Sequence, residues 1–96
     1  MSNRVSLDAT KFVNKNGDES YGYRMYDDYD QTYYNCAESN IMEMDDLELL
    51  EYAGKRADER AGEMISFCME EEKGMYINDT WYDHDEIKDK LNSIYA

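Results

Sequence analysis

The spacing of apolar and small residues in the second half of the chain is the feature that most constrains its fold. These residues recur at alternating steps of three and four: Leu47, Leu50, Gly54, Ala57, Ala61, Met64 and Cys68. Such spacing places them on one face of a helix and predicts a single long helix of about 25 residues. Asp45, with Glu48 in the first turn, is predicted to cap its N-terminus, and Gly74 to follow its C-terminus.

The middle of the predicted helix face consists of small side chains. These are Ala53, Gly54, Ala57, Ala61 and Gly62. Because a glycine costs a helix about 1 kcal/mol relative to alanine, a packing reason for these residues is expected. We expect the face to pack closely over a sheet. A seam between the helices of a dimer is the alternative.

The first half of the chain has the period of strands. Val5, Leu7 and Ala9 alternate with polar residues, which predicts a first strand. Asn16-Gly17 then predicts a type I′ hairpin turn, in which both residues have positive φ.

Two more strands are predicted after this turn. The second strand is expected to place three large side chains on one face: Tyr21, Tyr23 and Met25. A reversal is predicted at residues 27–30, and a third strand from about residue 31 to 37. Tyrosine favours strands and gives contact area across them, so this segment is predicted to be an antiparallel meander.

The C-terminal part predicts a short hairpin and a last helix. Residues 75–77 and 81–82 are predicted as strands around a turn at residues 78–80. Asp83 is predicted to cap the final helix, whose apolar stripe consists of Ile87, Leu91, Ile94 and Tyr95. The sequence therefore predicts one α+β domain over residues 1–96: a three-stranded antiparallel meander followed by a long helix, a short β-hairpin and a C-terminal helix.

The charge of the chain limits its partners. Its 23 Asp and Glu residues outnumber 10 Lys and Arg residues, giving a formal net charge of -13. High charge is typical of disorder, but the absence of proline, the 14% aromatic content and the periodicity indicate a folded chain. This charge disfavours direct binding to nucleic acid or anionic membranes and favours a basic protein surface or divalent cations. Solubility alone is the alternative explanation.

The cysteines and the N-terminal segment favour a reduced, cytoplasmic protein. Cys36 and Cys68 form no disulfide framework, and the chain has neither a signal-peptide pattern nor a membrane-spanning apolar run. Cys68 lies in an apolar context and is predicted to be buried, whereas the environment of Cys36 stays open.

Motifs for catalysis, metals or cofactors are weak. His84 lies between two aspartates, which could orient it for acid–base work, but it is predicted to be a solvated residue at a helix start. The cysteines and His84 lack paired zinc-ligand spacing, and no segment matches the calcium-binding loop of an EF-hand. We therefore predict no enzyme activity, no cofactor and no metal site.

The pattern of acids is the strongest indication of function. Residues 25–54 contain nine acids and no lysine or arginine. Acidic residues three or four positions apart on a helix have Cβ atoms about 5–6 Å apart, so such rows could occupy a groove that accepts phosphates. The predicted contact acids are Asp27, Asp28, Asp30, Glu43, Asp45, Asp46, Glu48, Glu51, Glu70, Glu71 and Glu72. The tyrosines predicted to add contact area are Tyr26, Tyr29, Tyr33 and Tyr34.

In size, charge and its mixture of Asp and Tyr, the chain resembles the small acidic DNA-mimic inhibitors that phages use. Those proteins block restriction enzymes, CRISPR effectors, glycosylases or nucleoid proteins. The resemblance implies a host nucleic-acid-binding protein as partner, bound through its basic groove. The alternatives are an immunity protein or antitoxin that neutralises a basic nuclease, an acidic adaptor, and a small hydrolase that uses His84. Whether the chain forms a homodimer stays open.

Overall fold

The computed structural model describes residues 5–27, 31–36 and 39–95. It shows an α+β chain, with strands first and helices in the middle and at the C-terminus. The strands are β1 (Ser6–Val13), β2 (Glu19–Tyr26), β3 (Gln31–Cys36), β4 (Gly74–Ile77) and β5 (Thr80–Asp83). The α-helices are α1 (Asp46–Lys55), α2 (Glu59–Phe67) and α3 (His84–Tyr95). A 3₁₀ helix (Ser39–Glu43) precedes α1, and a π-helical segment (Cys68–Glu72) continues from α2.

All of these strands belong to one mixed sheet, in the order β3-β2-β1-β4-β5. β1, β2 and β3 form the predicted antiparallel meander, with Leu7 opposite Met25 and Met25 opposite Thr32. The predicted β4–β5 hairpin is present as well. It does not stand apart from the meander, because β4 pairs in parallel with β1 through Ser6 and Leu7.

The first hairpin turn differs from the predicted type I′ turn. Of Asn16 and Gly17, only Gly17 has positive φ, at 85°. The Asn14 side-chain oxygen accepts hydrogen bonds from the backbone N–H groups of Asn16 and Asp18, at 2.9 and 3.0 Å. These bonds favour a longer loop from Asn14 to Asp18, because an Asn side chain can stand in for a backbone acceptor in a turn.

The predicted single long helix is wrong, because the chain breaks between α1 and α2. Arg56 N–H bonds back to Ala53 at 3.2 Å, which tightens and ends α1. Asp58 then adopts an extended conformation, and its carboxylate accepts the Ala61 N–H at 2.9 Å as the N-cap of α2. The spacing of three and four continues across the break because both helices face the same core.

The helical segment ends at Glu72 and Gly74 follows its cap residue, as predicted, but the left-handed residue is a different one. Lys73, and not Gly74, is the residue with left-handed backbone after the π-helical segment, at φ 59°. Gly74 begins β4. The next turn is as predicted in position: Asn78 and Asp79 both have positive φ, which suits a tight hairpin.

The core lies between the sheet and the helices. Leu7, Tyr23 and Met25 point from the sheet into it and are fully buried, as the alternation predicted. Tyr23 meets Tyr52 of α1 edge-to-face, with ring centroids 6.1 Å apart. Ala53 and Ala61 are buried in the same core, so the small-residue face packs within the chain. Cys68 is buried there too, as predicted.

The opposite face of the sheet has a different composition. The strand register places Asp8, Arg24 and Tyr33 side by side on that face, and Tyr76 opposite Trp81. The Arg24 guanidinium bonds to Asp8 at 3.0 Å and lies 4.2 Å from the centre of the Tyr26 ring. The sheet thus has an apolar face under the helices and a mixed aromatic and charged face.

Candidate protein-interaction surface

Cations of the described residues are largely engaged within the chain. Lysines and arginines form these ion pairs: Lys11–Glu19, Arg24–Asp8, Lys55–Glu51, Lys88–Asp85 and Lys90–Glu51, at 3.0 to 3.3 Å. Arg56 donates to the Asn35 carbonyl at 3.3 Å and lies over the Tyr52 ring. The remaining acids therefore determine the electrostatic character of the surface.

The second helix carries a row of such acids. Glu59 and Glu63 are four residues apart on α2, and Glu70 is two turns further on, in the π-helical segment. All three side chains are exposed. Among the residues the structure describes, none of the three has an ion-pair partner. Asp58, Arg60 and the first two glutamates line a shallow depression at the start of this row.

The acids at the start of α1 have separate roles. Asp45 caps the helix as predicted: its carboxylate accepts the Glu48 N–H at 2.8 Å, which lowers the pKa of Asp45. The neighbouring Asp45 carboxylate raises the pKa of Glu48. Glu43 and Glu48 are exposed and available to a partner. Asp46 is half-buried, because it accepts hydrogen bonds from Asn78 and Tyr82.

Glu51 is neutralised by two lysines. Its carboxylate bonds Lys55 at 3.0 Å, one turn further along α1, and also Lys90 of α3 at 3.3 Å. These hydrogen bonds lower the pKa of Glu51. Glu51 therefore adds less field to the acidic surface than its neighbours in sequence.

The predicted contact tyrosines lie on two faces of the sheet. Tyr26 and Tyr33 are on the open face, and Tyr33 is 54% exposed. Tyr34 is on the helix-covered face, stacked on Tyr23 with centroids 4.9 Å apart, and its hydroxyl donates to Asp58 at 2.9 Å. Burial and this hydrogen bond raise the pKa of Tyr34 to about 12.

The predicted site residues do not form one patch. Asp27 is half-buried after β2, while the α1 acids and Glu70 lie in the helical layer. Asp28, Tyr29 and Asp30 lie outside the described residues, as do the side chains of Glu71 and Glu72.

Sequence reasoning missed Glu59 and Glu63 as contact candidates. The i, i+4 spacing of two acids on a predicted helix could have indicated them.

The structure adds little to suggest catalysis. His84 is half-buried, with its Nδ1 3.6 Å from an Asp85 oxygen. Within the part of the chain that the structure describes, no three His, Cys, Asp or Glu side chains are grouped as they would be to hold a metal ion. No helix in the described ranges is long and apolar enough to cross a membrane.

Comparisons with known proteins give no functional lead. No protein-family model matches the chain, and no curated protein or solved structure has significant similarity to it.

Proposed function

We propose that the protein is a non-enzymatic inhibitor that occupies the cationic nucleic-acid-binding groove of a DNA-binding or defence protein in place of DNA. The observation that carries this proposal is the exposed row of Glu59, Glu63 and Glu70, without ion-pair partners in the described residues. The formal net charge of -13 means that the chain as a whole also attracts a cationic partner.

The geometry of the row suits such a groove. The Cβ atoms of Glu59 and Glu63, at i and i+4 of the helix, are separated by about 5–6 Å, the same order as the charge spacing along a nucleic-acid strand. A helix fixes the backbone from which the glutamates project, so no backbone has to be ordered when a partner binds them. Lysines and arginines that release counterions from DNA would meet these carboxylates instead. Glu43 and Glu48, also in the helical layer, would add to the contact.

The experiment is a capture from host lysate followed by competition. The immobilised chain is washed at low and high salt, and each captured protein is tested for displacement of labelled duplex DNA by the purified chain. We expect a nucleic-acid-binding protein that is released at high salt and whose DNA is displaced stoichiometrically. A partner without a nucleic-acid site, or one displaced from DNA equally at all salt concentrations, would contradict the proposal.

Matched variants test the row itself. Glu59→Gln, Glu63→Gln and Glu70→Gln together remove three negative charges from it. The control, Asp79→Asn, Asp83→Asn and Glu86→Gln, removes three exposed charges from the β4–β5 hairpin and the first turn of α3. We expect the row variant to compete about tenfold less well than the control, because contact charges count more than remote ones. Equal losses would show that only net charge matters.

Removal of a positive charge beside the row should have the opposite effect. Arg60 lines the depression beside Glu59 and Glu63, where its positive charge opposes binding to a cationic groove. Arg60→Gln should therefore displace DNA from the partner more effectively. If Arg60→Gln displaces DNA less well than wild type, the contact lies elsewhere.

A further inference from the structure

One end of the open sheet face contains a cleft with an apolar floor. It has a volume of about 480 Å³ and is lined by Phe12, Val13 and Tyr33, with Asp18 and Glu19 from the hairpin among its other lining residues. Val13 is 58% exposed and Tyr33 is 54% exposed. Two large apolar side chains are thus left in water beside carboxylates.

The aromatic side chains of the cleft are packed against each other and against the sheet. The Phe12 and Tyr33 rings meet edge-to-face with centroids 6.0 Å apart. Gly22 lies beneath the Phe12 ring: a Cβ there would come within 2.8 Å of Phe12 Cε2 and closer still to the Tyr34 carbonyl oxygen. A glycine at this position therefore lets the Phe12 ring lie against the backbone of β2.

The two carboxylates of the cleft differ in their partners. Glu19 bonds Lys11 at 3.1 Å. The Asp18 carboxylate accepts only a long hydrogen bond from the Asn14 side chain, at 3.4 Å, among the contacts of the described residues. Asp18 therefore keeps its negative charge available beside an apolar floor.

We infer that this cleft binds an arginine side chain of the partner protein. The aliphatic stem of arginine packs on apolar surface, its planar guanidinium stacks on aromatic rings, and it forms paired hydrogen bonds with a carboxylate. Phe12, Tyr33 and Asp18 supply these three contacts. A second copy of the chain is disfavoured as occupant, since each copy carries a net charge of -13.

This inference rests on the proposed function, because it names a second contact for the same cationic partner. The α2 row would meet the partner's groove, and the cleft would hold an arginine on a neighbouring segment. The two surfaces lie on different layers of the fold, so they can be tested separately.

The test is a titration of the ¹⁵N-labelled full chain with a short Gly–Ser peptide containing one central arginine. Citrulline and lysine versions of the peptide serve as controls, since citrulline keeps the shape without the charge and lysine keeps the charge without the planar fork. We expect saturable shifts of the Phe12, Val13 and Tyr33 amides with the arginine peptide. The shifts should be weaker with lysine and absent with citrulline.

Variants of the chain complete the test. Asp18→Asn and Tyr33→Ser, both at exposed positions, should each weaken arginine-peptide binding about fivefold. Glu59→Gln, which removes the same charge from α2, should change it less than twofold. The inference is overturned if Asp18→Asn and Glu59→Gln behave alike, or if the shifts concentrate on the acidic helices.

The same variants separate the two proposals in DNA competition with a captured partner. If the α2 row variant loses competition while Asp18→Asn and Tyr33→Ser keep it, the cleft contact is wrong and the proposed function stands. If the arginine peptide binds the cleft but no captured protein loses its DNA, the proposed function is wrong and the cleft is an arginine site for another kind of partner.

Discussion

The Tyr82 hydroxyl donates a hydrogen bond of 2.5 Å to an oxygen of the Asp46 carboxylate. The other Asp46 oxygen accepts from the Asn78 side chain at 2.9 Å, and the Asn78 side-chain oxygen accepts the Ala9 N–H. The first turn of α1 is therefore fixed to the β4–β5 hairpin and, through it, to β1. Asp46, predicted as a contact acid, uses both carboxylate oxygens inside the chain.

This relationship predicts an alkaline transition. The hydrogen bond to Asp46 raises the pKa of Tyr82 from 10.0 to about 12, so the folded chain holds the phenol proton more tightly than the unfolded chain. The resulting stabilisation is complete below pH 10 and is lost as the pH rises toward 12. Tyr82→Phe should lower the urea midpoint at neutral pH and flatten its decline in this window.

The control for Tyr82→Phe is a spectroscopic titration. Tyr34 also has a pKa raised to about 12, so the Tyr34 and Tyr82 phenols should both titrate late in wild type by phenolate absorbance. Tyr82→Phe should remove one of them and leave the Tyr34 signal unchanged. A Tyr82 that titrates near 10.0 would contradict the hydrogen bond.

The break between α1 and α2 predicts an acid-dependent role for Asp58. The Ala61 N–H and then the Tyr34 hydroxyl lower the pKa of Asp58 below 3.8. The ionised Asp58 carboxylate therefore stabilises the folded chain above pH 3.8, and this stabilisation is lost as the pH falls through the lower pKa of the folded state. Asp58→Ala should lower the urea midpoint at neutral pH more than Asp58→Asn, because asparagine still caps a helix.

Both Asp58 variants should lose this acid dependence. Urea denaturation at neutral and acidic pH measures it directly. Equal stability of Asp58→Ala and Asp58→Asn at neutral pH would show that the cap does not hold the start of α2.

Two glycines predict opposite responses to alanine. A Cβ at Gly22 would collide with the Tyr34 carbonyl and with Phe12, so Gly22→Ala should destabilise the fold by about 3 kcal/mol. A Cβ at Gly62, within α2, meets nothing within 4 Å. Gly62→Ala should stabilise the fold by about 0.5–1 kcal/mol, because alanine favours helix and restricts the unfolded chain. Urea denaturation of the two variants gives both values, and changes of the same sign would be inconsistent with the described packing.

The net charge predicts a stability that rises with salt. A formal charge of -13 on a small chain produces self-repulsion in the folded state, and salt screens it over about 10 Å at 0.1 M. The thermal midpoint should therefore increase between low and moderate NaCl. The Glu59, Glu63 and Glu70 glutamine variant should start higher and increase less. A midpoint independent of salt would show that ion pairs within the chain already balance the repulsion.

Local patterns predicted the strands well. The alternation of Val5, Leu7 and Ala9, and of Tyr21, Tyr23 and Met25, depends only on neighbours two residues apart, and the buried face followed it. The Asp45 cap was also readable, because a cap bonds the backbone three residues on. Asp58 is an equally good capping residue, but the spacing of three and four continues past it, which favoured one uninterrupted helix over two.

The sequence by itself determined the α+β class, the meander, the hairpin and the excess of negative charge, because these follow from composition and short-range periodicity. Only the tertiary structure decided the parallel pairing of β1 with β4, which joins residues some 70 positions apart in the chain. It alone also decided the roles of neighbouring acids. Asp46 is held by Tyr82 and Asn78, while Glu48 two residues later faces solvent, because the role of a carboxylate depends on the groups that the fold brings within hydrogen-bonding distance.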